Sequence, residues 1–133
     1  MKNYSILLCM SHLHDRNTGL HSYINCIDSG SVPDFPAALP GFTAITKWIC
    51  PESAEGLSAE LVLHAPGKKK EPLGLLDEFN VQAGLFTLIM TVERIEVKKA
   101  GRYEIQVVIR DKKTGKPFSS IKHPLQITTQ NKE

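Results

Sequence analysis

The stretch AGRYEIQVVIRD, residues 100–111, decides the fold of this chain. Its large apolar side chains fall at every second position, namely at Tyr103, Ile105, Val107 and Ile109. Polar side chains take the positions between them, with Val108 as the exception. Such alternation is typical of a β-strand that packs one face on a core and turns the other toward solvent. The stretch therefore predicts a half-buried strand late in the chain.

The entrance to this strand carries a second signal. Gly101 and Tyr103 form a Gly-x-Tyr pattern, which is typical of the tyrosine corner of immunoglobulin-like sandwiches, where the hydroxyl bonds to nearby backbone. Antibody domains place a cysteine two residues later, whereas this chain has Ile105, so the disulfide between the sheets is absent. Trp48 is the candidate for the large aromatic side chain of the core. The pattern favours an immunoglobulin-like or related Greek-key topology.

Short apolar runs bounded by Gly, Pro, Asn and Asp fill most of the remaining chain. They predict strands at residues 4–13, 20–28, 42–50, 58–65, 85–97 and 118–128. We expect a bulge or break near Glu93, because the fifth of these runs is long, and an edge or bulge at Pro124. No amphipathic helix is evident. The sequence thus predicts one all-β domain over residues 1–133, an antiparallel β-sandwich of seven or eight strands.

Two segments do not fit this strand pattern. Residues 29–41 contain three prolines, which predict a long loop. Phe35 and Leu39 in that loop are candidate anchors for a partner, and the alternative is a strap over the core with Phe35 as its plug. Residues 73–84 are assigned to irregular structure, with a short helix as the alternative.

Composition narrows the possible partners. The chain has 133 residues, of which 41% are hydrophobic and 23% charged, and its net charge is +2. This balance is ordinary for a soluble domain and gives no electrostatic reason to expect nucleic acid or a membrane as the main partner. No run approaches the ~20 apolar residues of a membrane span, and the apolar run at residues 6–10 is too short for a signal peptide.

The three cysteines, Cys9, Cys26 and Cys50, are odd in number and form no CxxC pair. A secreted disulfide scaffold usually has an even and denser set, so we expect thiols and a cytoplasmic protein. All three lie in apolar runs, where cysteine is usually a small hydrophobic side chain without special reactivity. A hairpin that is symmetric about residues 17–18 would place Cys9 opposite Cys26.

One histidine-rich stretch, SHLHDRNTGLHSY at residues 11–23, suggests a metal site. His12 and His14 are two apart, and a symmetric hairpin places His14 opposite His21, so three nitrogens could converge as zinc often requires. A slip of one residue would send His21 to the other face. Turn chemistry at residues 15–19 explains the stretch without a metal, so we expect no cofactor.

Lysines concentrate between the predicted strands, at residues 68–70, 98–99, 112–113 and 116. Lysine in turns keeps strands soluble and blocks pairing of sheet edges. If several of these turns lie at one end of the sandwich, they form a basic patch for a phosphate-rich or acidic partner. Catalytic motifs are absent: the chain has no GxSxG, and TGKP at residues 114–117 lacks the first glycine of a P-loop. We therefore expect no enzyme.

The order of features resembles a family of uncharacterised bacterial β-sandwich domains. The resemblance rests on LLCMSHLHD, TGLHSYINCID, VPDFPAALP, FTAIT and GLFTLIMTVERIEVKKAGRYEIQVVI, which together span most of the chain. It implies a fold and no chemistry, since the family has no assigned function. The histidines near the first turn and residues 68–84 depart from the family pattern.

The leading hypothesis is a bacterial or phage-borne binding or assembly module that uses loops or a sheet edge, with a protein partner or a second copy of itself. One alternative is a small metal-binding enzyme or sensor at His12, His14 and His21. Another is a nucleic-acid accessory protein that uses the lysine-rich turns.

Overall fold

The computed structural model describes residues 1–14, 16–18, 20–27 and 29–129, while the side chains of residues 11–14 and 21–26 lie outside the description. Within these ranges nine strands follow one another along the chain. They are β1 (Lys2–His14), β2 (His21–Cys26), β3 (Ser29–Val32), β4 (Ala37–Cys50), β5 (Ala54–Ala65), β6 (Lys69–Val81), β7 (Gly84–Val97), β8 (Gly101–Asp111) and β9 (Pro117–Thr129).

The strands form two sheets, one with the order β2-β1-β4-β7 and one with the order β3-β9-β8-β5-β6. The chain crosses between the sheets five times, from β2 to β3, β3 to β4, β4 to β5, β6 to β7 and β7 to β8, as in a Greek-key sandwich. Neighbouring strands run antiparallel, except that β3 and β9 run parallel. The predicted all-β sandwich is confirmed, with nine described strands where seven or eight were expected.

The core lies between the two sheets and is built around Trp48 and Tyr103, both almost fully buried. Apolar side chains that alternate along β4, β5, β7 and β8 surround them, because every second residue of a strand faces inward. The indole Nε1 of Trp48 donates a hydrogen bond of 2.7 Å to Thr46 Oγ1, so the buried N–H has a partner. Trp48 is thus a core residue, as predicted.

The tyrosine corner is present at the start of β8. The hydroxyl of Tyr103 donates a hydrogen bond of 2.8 Å to the backbone oxygen of Lys99, four residues earlier. Gly101 between them has φ +145°, and a Cβ at this position would lie 2.9 Å from Cγ of Pro66. Glycine is therefore required here both by the backbone conformation and by the close approach of the turn after β5.

The proline-rich segment is more ordered than predicted. Its first residues form β3, which pairs with residues 126–129 of β9, and β4 begins at Ala37, so the loop shrinks to residues 33–36. Pro40 fits inside β4 because β1 pairs with β4 only as far as Thr43, so at Pro40 this strand pairs with β7 alone and is an edge, where proline is tolerated. The prediction of a long loop over residues 29–41 was therefore wrong, because most of these residues lie in β3 and β4.

Residues 73–84, predicted as irregular, belong mostly to strand β6. This strand pairs with β5 through three shifts of register, near Leu57, Ala59 and Leu61. Two of the shifts, between Leu76 and Phe79 and between Pro72 and Gly74, put an extra residue in β6 and interrupt its alternation of inward and outward side chains. The sequence therefore lacks the period of two that identifies a strand. The irregular assignment was wrong because β6 is a bulged edge strand.

The regular alternation of β4 and β7 is broken at the same level in both strands. Burial along β7 alternates up to Val92, is interrupted at the exposed Glu93 and Arg94, and resumes at Ile95. Gly41 on β4 lies against this point, since a Cβ there would lie 2.0 Å from the backbone oxygen of Val92. The predicted break near Glu93 is therefore found, and both paired strands share it, since Gly41 and Glu93 are absent from the register between Pro40–Arg94 and Phe42–Val92.

The first hairpin has the symmetric register. His14 pairs with His21 and Cys9 pairs with Cys26 across β1 and β2. The hairpin continues beyond Cys9, where β1 no longer pairs with β4, and it extends toward the end of the sandwich at which β4 begins.

Candidate functional site

A groove opens at the end of the sandwich where β5 turns into β6 and β7 turns into β8. We call it the basic groove, and its volume is about 440 Å³. Its lining residues are Leu63, Ala65, Pro66, Gly67, Lys69, Lys70, Glu71, Glu96, Lys98, Lys99 and Tyr103. The two turns meet because β5 and β8 are antiparallel neighbours, with His64 opposite Glu104, so the end of one strand lies beside the start of the other.

The local conformation of the first turn follows from its sequence. Gly67 and Lys68 have φ of +86° and +65°, and glycine adopts this region without a Cβ penalty. The turn also approaches the second one closely, since a Cβ built on Gly67 would lie 3.7 Å from Nζ of Lys99. The ammonium group of Lys99 therefore lies against the backbone of the first turn, and lysines of both turns face the same groove.

The floor of the basic groove is apolar. Leu63 and Tyr103 belong to the core, and Ala65 and Pro66 are half-buried beside them. The hydroxyl of Tyr103 is directed to the Lys99 carbonyl, so the tyrosine corner also fixes the backbone from which Lys99 projects. An apolar floor with charged groups at its rim is the usual construction of a binding groove.

The rim carries four lysines, which are Lys69, Lys70, Lys98 and Lys99, and two glutamates. One glutamate, Glu96, is 3.5 Å from the guanidinium of Arg94 and is thus partly neutralised from outside the groove. Positive charge therefore dominates the rim and favours a ligand that carries negative charge.

The third lysine-rich turn lies at the opposite end, between β8 and β9. Lys112 there donates hydrogen bonds of 3.1 Å to Asp77 and 3.2 Å to Glu78, and these bonds raise the pKa of its ammonium above the ordinary value. The structure thus brings the first two lysine-rich turns together, whereas the third is separate and partly neutralised.

Phe35 and Leu39, the candidate anchors in the proline-rich segment, pack as half-buried side chains against the core. Leu39 also approaches β3, because a Cβ on Gly30 would lie 3.6 Å from its Cδ2. Neither residue lines the basic groove. This placement agrees with the strap alternative, and a role of these two residues in binding stays a prediction.

The structure tests only the backbone part of the predicted histidine site. The register that it requires, His14 opposite His21, is present, but the side chains of His12, His14 and His21 lie outside the described residues. Among the side chains that are described, no group of three or more His, Cys, Asp or Glu is placed to hold a metal ion. The same part of the chain contains no helix long and apolar enough to cross a membrane.

Sequence reasoning missed the apolar floor and the glutamates of the basic groove. Leu63 and Pro66 were placed on a strand and in a turn, and nothing in their spacing indicates that they meet Glu96. The available signal is the sandwich topology: strands paired as β5 and β8 bring their adjoining turns to one end.

Comparisons with known proteins add little. No protein-family model matches the chain, and no curated protein matches it. Among solved structures, it is similar to the CARDB domain of the PF1109 protein from Pyrococcus furiosus, which was crystallised in complex with di-metal ions. The TM-score is 0.46 and the sequence identity 9%, over 97% of this chain and 96% of that one. A likeness of this degree assigns neither a family nor a ligand to the present chain.

Proposed function

We propose that the protein is a non-catalytic binding module that holds an acidic segment of a protein partner in the basic groove. One observation carries the proposal: two turns that are distant in sequence place four lysines around an apolar floor. The lysines would attract carboxylates, and the floor would accept an aliphatic side chain of the same segment.

A protein segment suits the basic groove better than a nucleic acid does. Base stacking needs an exposed aromatic face, and Tyr103, the one aromatic residue among the described residues that line the groove, is 2% exposed. Glu71 and Glu96 on the rim would repel a continuous phosphate backbone. The remaining lysine-rich turn lies at the far end, where Lys112 is already bound to two carboxylates. A basic track along the surface, as nucleic acids require, is therefore not favoured.

The biological setting remains part of the proposal. The resemblance to uncharacterised bacterial domains and the odd number of cysteines without a CxxC pair support a bacterial or phage-borne protein of the cytoplasm. A module of this kind would act as a subunit of a larger assembly, and its partner would supply any catalysis.

Fluorescence anisotropy with defined peptides tests the proposal. The probe is a fluorescein-labelled peptide of sequence Glu-Glu-Leu-Leu-Glu-Glu, with its Gln-Gln-Leu-Leu-Gln-Gln counterpart as the control ligand. The double variant Lys70→Glu, Lys99→Glu reverses two charges of the rim and should weaken binding of the acidic peptide at least tenfold. Each exposed ion pair between a lysine and a peptide carboxylate contributes up to about 1 kcal/mol to the binding free energy. Binding should also weaken with salt because exposed charges are screened.

The matched control is Lys113→Glu with Lys116→Glu, which makes the same charge change at the far end of the sandwich. It should leave the affinity within about twofold of the wild type. Equal losses from both double variants, or equal binding of the two peptides, would contradict a specific groove. Tighter binding of a labelled oligothymidylate than of the acidic peptide would favour the nucleic-acid alternative instead.

A second candidate function rests on the hairpin register. His14 opposite His21, with His12 two residues away on the same strand, is the backbone arrangement that a three-histidine metal site needs. Metal analysis of protein purified without a histidine tag tests this candidate. The candidate is supported if the wild type holds about one equivalent of zinc, and if this zinc is lost in His14→Ala and kept in His123→Ala. A zinc content below about a tenth of an equivalent in the wild type would rule the metal site out.

A further inference from the structure

Strand β7 forms an edge of the four-stranded sheet and differs from the other sheet edges. It pairs with β4 on one side, and among the described residues no strand pairs with it on the other. Between Leu85 and Val92 its sequence is LFTLIMTV, without charge, proline or glycine. Natural edge strands usually carry such residues because an open row of backbone groups can pair with another chain.

The other three described edges have these protections. β2 has six residues and β3 has four, so each offers only a short row of backbone groups. β6 contains Pro72, several charged residues and three shifts of register against β5. The contrast within one molecule singles out β7 as a long edge that has no register shift against its neighbour and is uncharged over residues 85–92.

The exposed face of β7 carries Leu85 and Ile89 in alternation with Thr87 and Thr91. Leu85 is 72% exposed and Ile89 47% exposed, and Ile49 of β4 lies directly beside Leu85. Leu85, Ile89 and Ile49 thus place apolar side chains on the outer face of the sheet, at positions where a solvated strand usually carries polar residues. A strand paired alongside β7 would cover one flank of Leu85 and Ile89 and so remove part of their apolar surface from water.

We infer that residues 84–92 of β7 pair antiparallel with the same residues of a second copy of this chain. A two-fold axis at Leu88 aligns the whole uncharged segment with itself and places Phe86 opposite Met90 and Thr87 opposite Ile89 of the second copy. Glu93 and Arg94 fall outside the paired segment, so no like charges meet. The two-fold arrangement uses both open edges, and the assembly closes as a dimer.

The dimer is independent of the basic groove. The break in alternation at Glu93 and Arg94 separates residues 84–92 from Glu96, Lys98 and Lys99, which line the groove. Antiparallel pairing would place the two grooves at opposite ends of an eight-stranded sheet. Either proposal can therefore fail while the other stands.

Sedimentation equilibrium of the full chain tests the inference. The wild type is expected at twice the 14.8 kDa of one chain. Ile89→Lys and Ile89→Glu should each give monomers, because residue 89 lies diagonally across the axis from its copy, about 7–8 Å away, and like charges repel at this range. An equimolar mixture of the two variants should recover the dimer.

Phe118→Lys is the control, since Phe118 is 49% exposed and lies on β9, away from β7. Circular dichroism establishes that each variant is folded, and if Ile89→Lys is not, Thr87→Lys at an already exposed polar position replaces it. A wild type that stays monomeric at its highest soluble concentration overturns the inference. So does a dimer that persists in the folded lysine variant, or a loss of the dimer in Phe118→Lys as well.

Discussion

Replacement of Tyr103 by phenylalanine removes one hydrogen bond and leaves the ring in the core. The hydroxyl donates a hydrogen bond of 2.8 Å to the backbone oxygen of Lys99. A hydrogen bond of this kind contributes about 0.5–1.5 kcal/mol net, and an acceptor left buried without a partner costs about 1–3 kcal/mol. Because Lys99 is exposed, water can reach part of its backbone, and we expect a loss of about 1–1.5 kcal/mol.

Urea denaturation followed by the fluorescence of Trp48, the chain's one tryptophan, measures this loss. The slope of unfolding free energy against urea should be unchanged, so the loss appears as a lower midpoint. The matched control is Tyr4→Phe, because Tyr4 is 67% exposed. If the two variants agree within about 0.3 kcal/mol, the corner does not stabilise the fold and the reasoning is refuted.

Three further stability predictions concern backbone crowding and one ion pair. Gly41→Ala should lower the free energy of unfolding by more than about 3 kcal/mol or prevent folding, because its methyl group would meet the backbone of β7. Gly74→Ala should leave the stability nearly unchanged, because no atom of the described residues lies within 4 Å of its added methyl group. Gly101→Ala should lower the melting temperature through its contact with Pro66, as measured by calorimetry. The Lys112→Met variant should have a slightly lower melting temperature than the wild type below pH 10.5. Asp77 and Glu78 raise the pKa of Lys112, so the ion pairs stabilise the fold only while the ammonium is charged, and the difference in melting temperature should vanish at higher pH.

The sequence predicts the half-buried elements of this fold well. Residues 100–111 alternate cleanly, and both the strand and its tyrosine corner are present in the structure. The register of the first hairpin follows from a turn whose residues fix the centre of symmetry. In such places one local rule, the period of two or the chemistry of the turn, determines the structure.

Elements that depend on their neighbours escaped prediction. Pro40 lies inside a strand only because β1 has separated from β4 at that level, which the local sequence does not encode. The bulges of β6 hide its period in the same way. The basic groove is a product of topology, since Lys70 and Lys99 are 29 positions apart in the chain and meet through the pairing of β5 with β8.

The most direct test of the groove is a map of its contacts in solution. Amide signals of the ¹⁵N-labelled protein are followed by NMR while the unlabelled Glu-Glu-Leu-Leu-Glu-Glu peptide is added. The account predicts saturable shifts concentrated at residues 63–71 and 96–103, with residues 112–116 unaffected. Shifts spread evenly over all lysine-rich turns, or confined to residues outside the groove, would contradict the claim that the protein binds acidic segments there.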